Sequence, residues 1–302
     1  MLNGTPLYQE LYARLTAELK TLPDKPEETC ESTLHALWQT SAGVPISAQL
    51  ALTLELPVLK QQQQDILRDL IGQRIAGTPL AHLSGRQSFM DLEMLAGPDA
   101  LVPRKETELL AHAAVAICLQ LSAQQDNLAV LDVCTGAGNV ALAIAHHVPV
   151  AQVHAADLSE AAVKLAKRNA AHLGLSARAQ FRSGDLLTPF DSSEFRGQVD
   201  VLTCNPPYIN SAKVANMADE IAGHEPQLAF DGGPFGIAIL VRLLEEAPRY
   251  LRHGGWLAFE VGLGQGPALV KRLKKNPAFG ELRTVLDETG SVRAILAQRS
   301  QN

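Results

Sequence analysis

Asn205-Pro206-Pro207-Tyr208 follows the apolar run from Val199 to Cys204. Two successive prolines remove two backbone donors and fix two φ angles, so the segment is expected to form a stiff prong rather than a helix or an inner strand. A prong of this composition suits a planar –NH2 group. The Asn205 side-chain oxygen and the Pro206 carbonyl can each accept one N–H, and Tyr208 offers a flat face for stacking. Holding both hydrogens aligns a nitrogen whose lone pair is delocalised and stabilises the positive charge that develops as it attacks. The plain alternative is a Pro-Pro turn leaving a strand.

A ligand loop upstream would decide between these readings, and residues 128–146 supply a candidate. The run from Leu128 to Cys134 has the composition of a strand buried on both faces. Thr135-Gly136-Ala137-Gly138 follows, and Asn139 to His146 then reads as a helix. Glycines at such a bend allow positive φ and close approach of a ligand, and the helix start offers free N–H groups. By itself this pattern also fits a nicotinamide or flavin site, or a tight turn. The full dinucleotide spacing fails, because Ala141 stands three positions after Gly138.

Two acids sharpen the choice. Asp157 ends the strand starting at Gln152, roughly twenty residues beyond the glycines, where a ribose-binding acid is expected. Asp185 follows Gly184 after the strand Ala179–Arg182, and it or the neighbouring backbone is expected to meet an adenine amino group. Either acid could instead cap a helix, although Ser159 is placed to do so in place of Asp157.

The order of these motifs resembles class I S-adenosylmethionine-dependent methyltransferases of the Asn-Pro-Pro-Tyr variety, which methylate adenine, cytosine or glutamine-amide nitrogens. Further segments resemble the protein glutamine methyltransferases (the PrmC or HemK group). These are Pro79-Leu80-Ala81-His82-Leu83-Ser84-Gly85, Val102-Pro103-Arg104-Lys105-Glu106-Thr107-Glu108, His224-Glu225-Pro226 with Asp231-Gly232-Gly233 and Gly236, and Phe259-Glu260-Val261-Gly262 with Gln265-Gly266. The similarity spans about residues 75–297. Phe89-Met90 and Pro234-Phe235 depart from the group's usual residues, which leaves the acceptor open.

The resemblance implies S-adenosylmethionine as cofactor, bound by Thr135, Gly136, Gly138, Asp157, Asp185 and Asn205. It implies Asn205, Pro206 and Tyr208 as catalytic residues. Asn205, Pro206, Pro207, Tyr208, Arg104 and Glu108 are then the acceptor-binding set, with Arg104 and Glu108 expected to bind each other, the cofactor edge or the acceptor loop. The expected reaction is direct in-line displacement with no metal, no covalent intermediate and no strong general base; His82, His224 and Glu225 read as structural. The implied partner is the Gly-Gly-Gln loop of a peptide chain release factor, or a ribosomal protein. A small-molecule nitrogen acceptor and a cofactor-binding protein without transferase activity are the alternatives.

The elements that must position these residues fall into two parts. Leu7, Leu11, Leu15 and Leu19 mark one helix, Leu34 to Trp38 a second, and Leu59 to Ile75 a third, so residues 1–84 read as a helical acceptor-docking domain. Residues 85–105 read as a hairpin linker turning at Gly97-Pro98. In 106–302, alternating helices and strands, closed by an antiparallel pair near 282–285 and 292–297, imply an α/β fold: a doubly wound, Rossmann-like, seven-stranded methyltransferase sheet. Ligands in such sheets lie beyond the carboxyl ends of the strands.

Composition agrees. The 302 residues are 46% hydrophobic, enough for substantial cores. With 26 Lys plus Arg against 32 Asp plus Glu, the net charge of −6 argues against a general nucleic-acid binder. Cys30, Cys118, Cys134 and Cys204 lack metal-ligand spacing and read as reduced thiols. Neither a signal-peptide pattern nor a long apolar run is evident, so a cytoplasmic, membrane-free location is expected.

Overall fold

The computed structural model describes residues 5–22, 24–209, 225–230, 232–233 and 236–301. They form two compact units. The first holds the described residues up to Pro98, together with Val102–Arg104 and Glu225; the second holds Asp99–Leu101, 105–209 and 226–301.

The first unit is helical. Helix α1 (Pro6–Glu18) starts with Thr5 accepting a bond from the Tyr8 amide and with proline at the first helical position, where its missing N–H costs nothing. Helix α2 (Cys30–Ser41) opens with a reciprocal Thr29–Ser32 capping box. The short α3 (Ala48–Ala51), α4 (Gln61–Ile75) and the short α5 (Leu80–Ser84) complete the set. Leu11 and Leu15 of the expected stripe pack with Leu34, Leu37, Trp38, Leu67 and Ile71 into one apolar core.

The hairpin is present, but its turn is not where Gly97-Pro98 suggested. Strands β1 (Arg86–Phe89) and β2 (Leu92–Leu95) pair antiparallel with Phe89 opposite Leu92. The two-residue turn between them is therefore Met90-Asp91, with φ of 45° and 62°. Positive φ at both central positions is the tight-hairpin geometry usually filled by Asn-Gly, so Met-Asp gave no turn signal. The hairpin groups with the helices because Ser47 donates from its amide and its hydroxyl to Glu93, both at 2.6 Å, and Gln87 donates to Glu27 at 3.1 Å.

In the second unit, α6 (Glu108–Ser122) leads into β3 (Leu128–Val133), α7 (Asn139–His147), β4 (Ala151–Asp157), α8 (Glu160–His172), β5 (Ala179–Ser183) and β6 (Val199–Cys204). After it come α9 (Ala238–Glu246), β7 (Leu251–Glu260), α10 (Gly266–Leu273), β8 (Phe279–Leu286) and β9 (Val292–Arg299). The seven strands lie in the order β5-β4-β3-β6-β7-β9-β8. All pairs from β5 to β7 are parallel, and β9 runs antiparallel to both neighbours. This is the doubly wound seven-stranded α/β sheet expected from the alternation.

The order sets the position of the site. From β3 the chain builds outward through β4 to β5, then returns to place β6 and β7 on the other side of β3. The reversal lies between β3 and β6, whose ends meet where Val133 pairs with Cys204. A crevice beyond the carboxyl ends of the strands opens at such a switch point. Every β6 residue is buried, which suits its mostly apolar sequence, and its two polar side chains are bonded, Thr203 donating to Asp132 and Asp200 accepting from the Ala129 amide. No described helix is long and apolar enough to cross a membrane.

Candidate active site

Strand β3 releases its chain through a backbone that only glycine-rich sequence adopts easily. Cys134, Gly136 and Gly138 have φ of 57°, 54° and 86°, the alternation that turns successive N–H groups into an anion-seeking concavity. Below the loop a side chain at Gly138 would meet the Phe181 ring at 3.1 Å, so glycine there lets α7 sit down on β5. A side chain at Gly136 would have no atom within 4 Å, so the loop is open on its outer edge.

Asp157 and Asp132 hold this loop. Asp157 accepts from the Gly136 amide at 2.8 Å and from the Ser159 amide at 2.9 Å, and Ser159 caps α8. Burial raises the Asp157 pKa, opposed by those backbone bonds. Asp132 accepts from Thr135 Oγ1 at 2.5 Å and from Thr203 Oγ1 at 2.6 Å, linking β3, its loop and β6. Burial pushes the Asp132 carboxyl up to about 6, against both hydroxyl contacts. The sequence reading did not single out Asp132, although an acid in an apolar central strand is itself a signal of a built polar contact.

Asp185 is placed differently. It lies two residues past β5, and both its oxygens accept from Arg242 of α9, at 3.2 and 2.7 Å. Its neighbours are conformationally unusual: Gly184 has φ of 157°, where a Cβ would stand 2.4 Å from Pro189, and Leu186 has φ of 47°. The backbone here is fixed, and the Asp185 carboxylate is engaged by arginine.

At the end of β6, Pro206 is buried and Asn205 partly so. Asn205 Nδ2 donates to Thr107 Oγ1 at 3.1 Å, and the Tyr208 hydroxyl donates to Glu106 Oε1 at 3.1 Å. Glu106 is in turn paired with Arg293 of β9 at 2.8 Å. Glu260, the last residue of β7, is 1% exposed and lies 3.8 Å from Arg293. Neither Glu260 oxygen has a fully formed hydrogen bond, but the Thr107 and Tyr208 hydroxyls lie close enough to favour its charge. Burial dominates and pushes its carboxyl up to about 7, with Glu106 adding to the rise. Burial and the two glutamates also raise Tyr208 well above the usual phenol value, so it remains a neutral donor.

The prong is braced from behind by backbone that lacks side chains. Gln265 Nε2 donates to the Tyr208 carbonyl at 3.0 Å and to the Gly236 carbonyl at 3.2 Å, while its Oε1 accepts from the Gly262 amide at 2.9 Å. A Cβ at Gly236 would stand 2.1 Å from the Tyr208 oxygen, and one at Gly232 would stand 2.6 Å from the Pro207 oxygen. These approaches explain why glycine stands at 232 and 236, and a Cβ at Gly262 would likewise meet the Tyr208 ring at 3.0 Å. The β-bridge of Ile209, with bonds to Phe230 and Gly232, continues the same support.

Thr135, Gly136, Gly138, Asp157, Asn205, Pro206, Pro207 and Tyr208 thus share one edge of the second unit. Arg104 and Glu108 belong to different units. Arg104 belongs to the first unit, where it donates to Glu225 at 2.7 Å and lies 3.9 Å from Asp24. Glu225 also accepts from the Val102 amide at 3.3 Å; burial raises its pKa while Arg104 and Lys25 hold it down. Glu108 pairs with Lys105 at 2.6 Å. His224, Asp231, Pro234 and Phe235 lie outside the described residues. Glu106 and Gln265 fall in segments that carry the family resemblance but were not read as site residues, and Arg293 gave no local signal because it arrives from a distant strand.

Comparison with known proteins agrees with this geometry. A methyltransferase-domain family matches residues 124–286. Release factor glutamine methyltransferase of Moorella thermoacetica is 38% identical over 232 residues, covering 76% of this chain and 78% of that protein. The one from Gloeobacter violaceus is 38% identical over 218 residues, with coverages of 72% and 73%. That of Geobacter sulfurreducens is 32% identical and covers 87% of this chain and 88% of that protein. Among solved structures, the hMettl16 catalytic domain in complex with MAT2A 3'UTR hairpin 6 aligns with a TM-score of 0.53 over 78% of this chain and 82% of its own. At 15% identity that likeness speaks for the fold alone. Fold, loop, prong and relatives converge: the chain belongs to the release factor glutamine methyltransferase family.

Proposed function

We propose that this protein is a cytoplasmic enzyme that moves the methyl group of S-adenosylmethionine to the side-chain amide nitrogen of the glutamine in a release factor's Gly-Gly-Gln loop. The observation that carries the reading is the Asn205–Thr107 bond. With its NH2 committed to Thr107, Asn205 offers its oxygen, the acceptor that an incoming amide N–H requires.

The residues fit the cofactor. Gly136 gives close backbone approach, and Asp157, an acceptor-only carboxylate with about four lone-pair sites, has capacity for ribose hydroxyls beyond its two backbone bonds. With Asp185 held by Arg242, we assign the adenine contact to backbone near Leu186 in preference to the Asp185 carboxylate. When bound, S-adenosylmethionine supplies a methyl carbon already activated by a sulfonium.

The chain's own residues then have three tasks. Asn205 Oδ1 and the Pro206 carbonyl would hold the two amide hydrogens, which orients the nitrogen lone pair for attack on the methyl carbon the cofactor supplies. Tyr208, fixed by Glu106 and Gln265, covers the amide plane and keeps water away. With the cofactor bound, both carbonyl acceptors would stabilise the positive charge that the nitrogen gains on taking the methyl group, the sulfonium leaving as a neutral thioether and the extra proton passing to solvent once the site opens. No side chain here needs to act as a strong base.

The test is mass spectrometry of a purified release factor after incubation with enzyme and S-adenosylmethionine. One added methyl on the glutamine of the Gly-Gly-Gln peptide is expected. Methylation of a small amide or of nucleic acid, with the release factor untouched, would overturn the reading.

A further inference from the structure

We propose that Thr107 and Glu260 are positioning residues that fix which way round the Asn205 amide sits, so that its oxygen and not its nitrogen faces the acceptor. The inference rests on the amide-methylation reading and goes beyond it. An asparagine side chain is nearly symmetric in shape, and flipping it would present an NH2 to an incoming NH2. Something must therefore choose the orientation.

Thr107 cannot choose alone. Its hydroxyl lies 3.1 Å from Asn205 Nδ2, and a hydroxyl can accept from an NH2 or donate to a carbonyl with equal ease. Glu260 breaks the tie. It is buried at the end of β7, next to that hydroxyl, with no complete hydrogen bond to either oxygen. An ionised carboxylate only accepts, so the Thr107 proton turns to Glu260 and leaves only lone pairs for Asn205. Asn205 then has to point its NH2 at Thr107 and its oxygen outward. A protonated Glu260 could donate to Thr107 instead, which frees the threonine proton for the Asn205 oxygen and permits the wrong orientation.

The surroundings hold this relay near a tipping point. Charged and titratable groups face Glu260 from three segments: Glu106 before α6, Arg293 on β9 and Tyr208 after β6. Arg293 and the hydroxyls favour its charge, while burial and Glu106 oppose it, leaving the carboxyl at about 7. The orientation is therefore held where Glu260 is charged and released where it is protonated.

The experiment follows the Asn205 side-chain NH2 resonances in selectively 15N-labelled full-length enzyme, assigned by Asn205→Asp, from pH 5 to 9, with kcat measured in parallel. In the native enzyme we expect a hydrogen-bonded NH2 signal at high pH that moves toward the free position through the Glu260 titration, with kcat falling alongside. Thr107→Val should lose the bonded signal and reduce kcat by about 10²-fold while cofactor affinity stays within several-fold. Thr107→Ser, which keeps the hydroxyl, should restore both. Glu260→Gln should abolish the acid limb of the kcat profile. An NH2 signal unmoved by Thr107→Val, or an acid limb surviving in Glu260→Gln, would overturn the inference. The resonances need no acceptor, so a native enzyme that shows this titration yet leaves release factor unmethylated would sink the proposed function and not this relay.

Discussion

A carboxamide nitrogen attacks carbon slowly because its lone pair is shared with the carbonyl, so residues that hold its hydrogens do most of what catalysis requires. At this scale the two acids under the glycine loop have separable roles. Asp157 is assigned to cofactor ribose, and Asp157→Asn is expected to weaken S-adenosylmethionine binding about 10- to 100-fold, the loss of one or two charge-assisted bonds. Calorimetry would check this, and unchanged affinity would discredit the assignment. Asp132 is a structural acid whose pKa in the folded chain is raised from 3.8 to about 6. The folded state then binds more protons than the unfolded chain between those values, so this group's contribution to stability is lost as pH rises across them. The difference in unfolding free energy between Asp132→Asn and the native protein should shift in favour of the variant by up to about 3 kcal/mol from pH 4 to pH 7, read from urea midpoints.

At the scale of elements, the prong depends on backbone that arrives from three places. Gln265 ties the Tyr208 carbonyl to the turns at 236 and 262, which are the segments that packed glycines allow close to it. Gln265→Ala should cost about 1–3 kcal/mol of stability through the unmade bonds, and should lower kcat more than it alters cofactor affinity. Gly236→Ala should be worse, because φ is 68° and the added carbon meets backbone rather than a mobile side chain. Thermal melts and steady-state kinetics separate the two effects, and a kinetically silent Gln265→Ala would show the brace is dispensable. Much of this architecture was legible beforehand. The helices at 6–18, 30–41 and 61–75 followed from leucine spacing, and β3 to β6 from apolar runs ending in Gly, Asp or Asn. The Met90-Asp91 turn was not legible, because its geometry is imposed by pairing of the flanking strands rather than by turn residues. The pairing of Arg293 with Glu106 was equally hidden, since the sheet order alone brings the last strand near the segment before α6.

For the molecule as a whole, a net charge of −6 predicts an acceptor recognised by shape and specific contacts rather than by a general basic field. Binding of the enzyme to DNA or RNA fragments should accordingly be weak, and a steep fall of affinity with salt, as phosphate-contacting proteins show, would contradict this. In this enzyme the switch point between β3 and β6 brings the glycine loop and the proline-braced prong side by side. The most direct test of a cofactor loop paired with an amide-gripping prong is single-turnover methylation of a release factor by Asn205→Ala, with S-adenosylmethionine affinity measured on the same preparation. The rate is expected to fall by about 10²- to 10³-fold, with cofactor affinity within several-fold of native. A native rate, or an equal collapse of rate and affinity, would contradict an amide-gripping role for the prong.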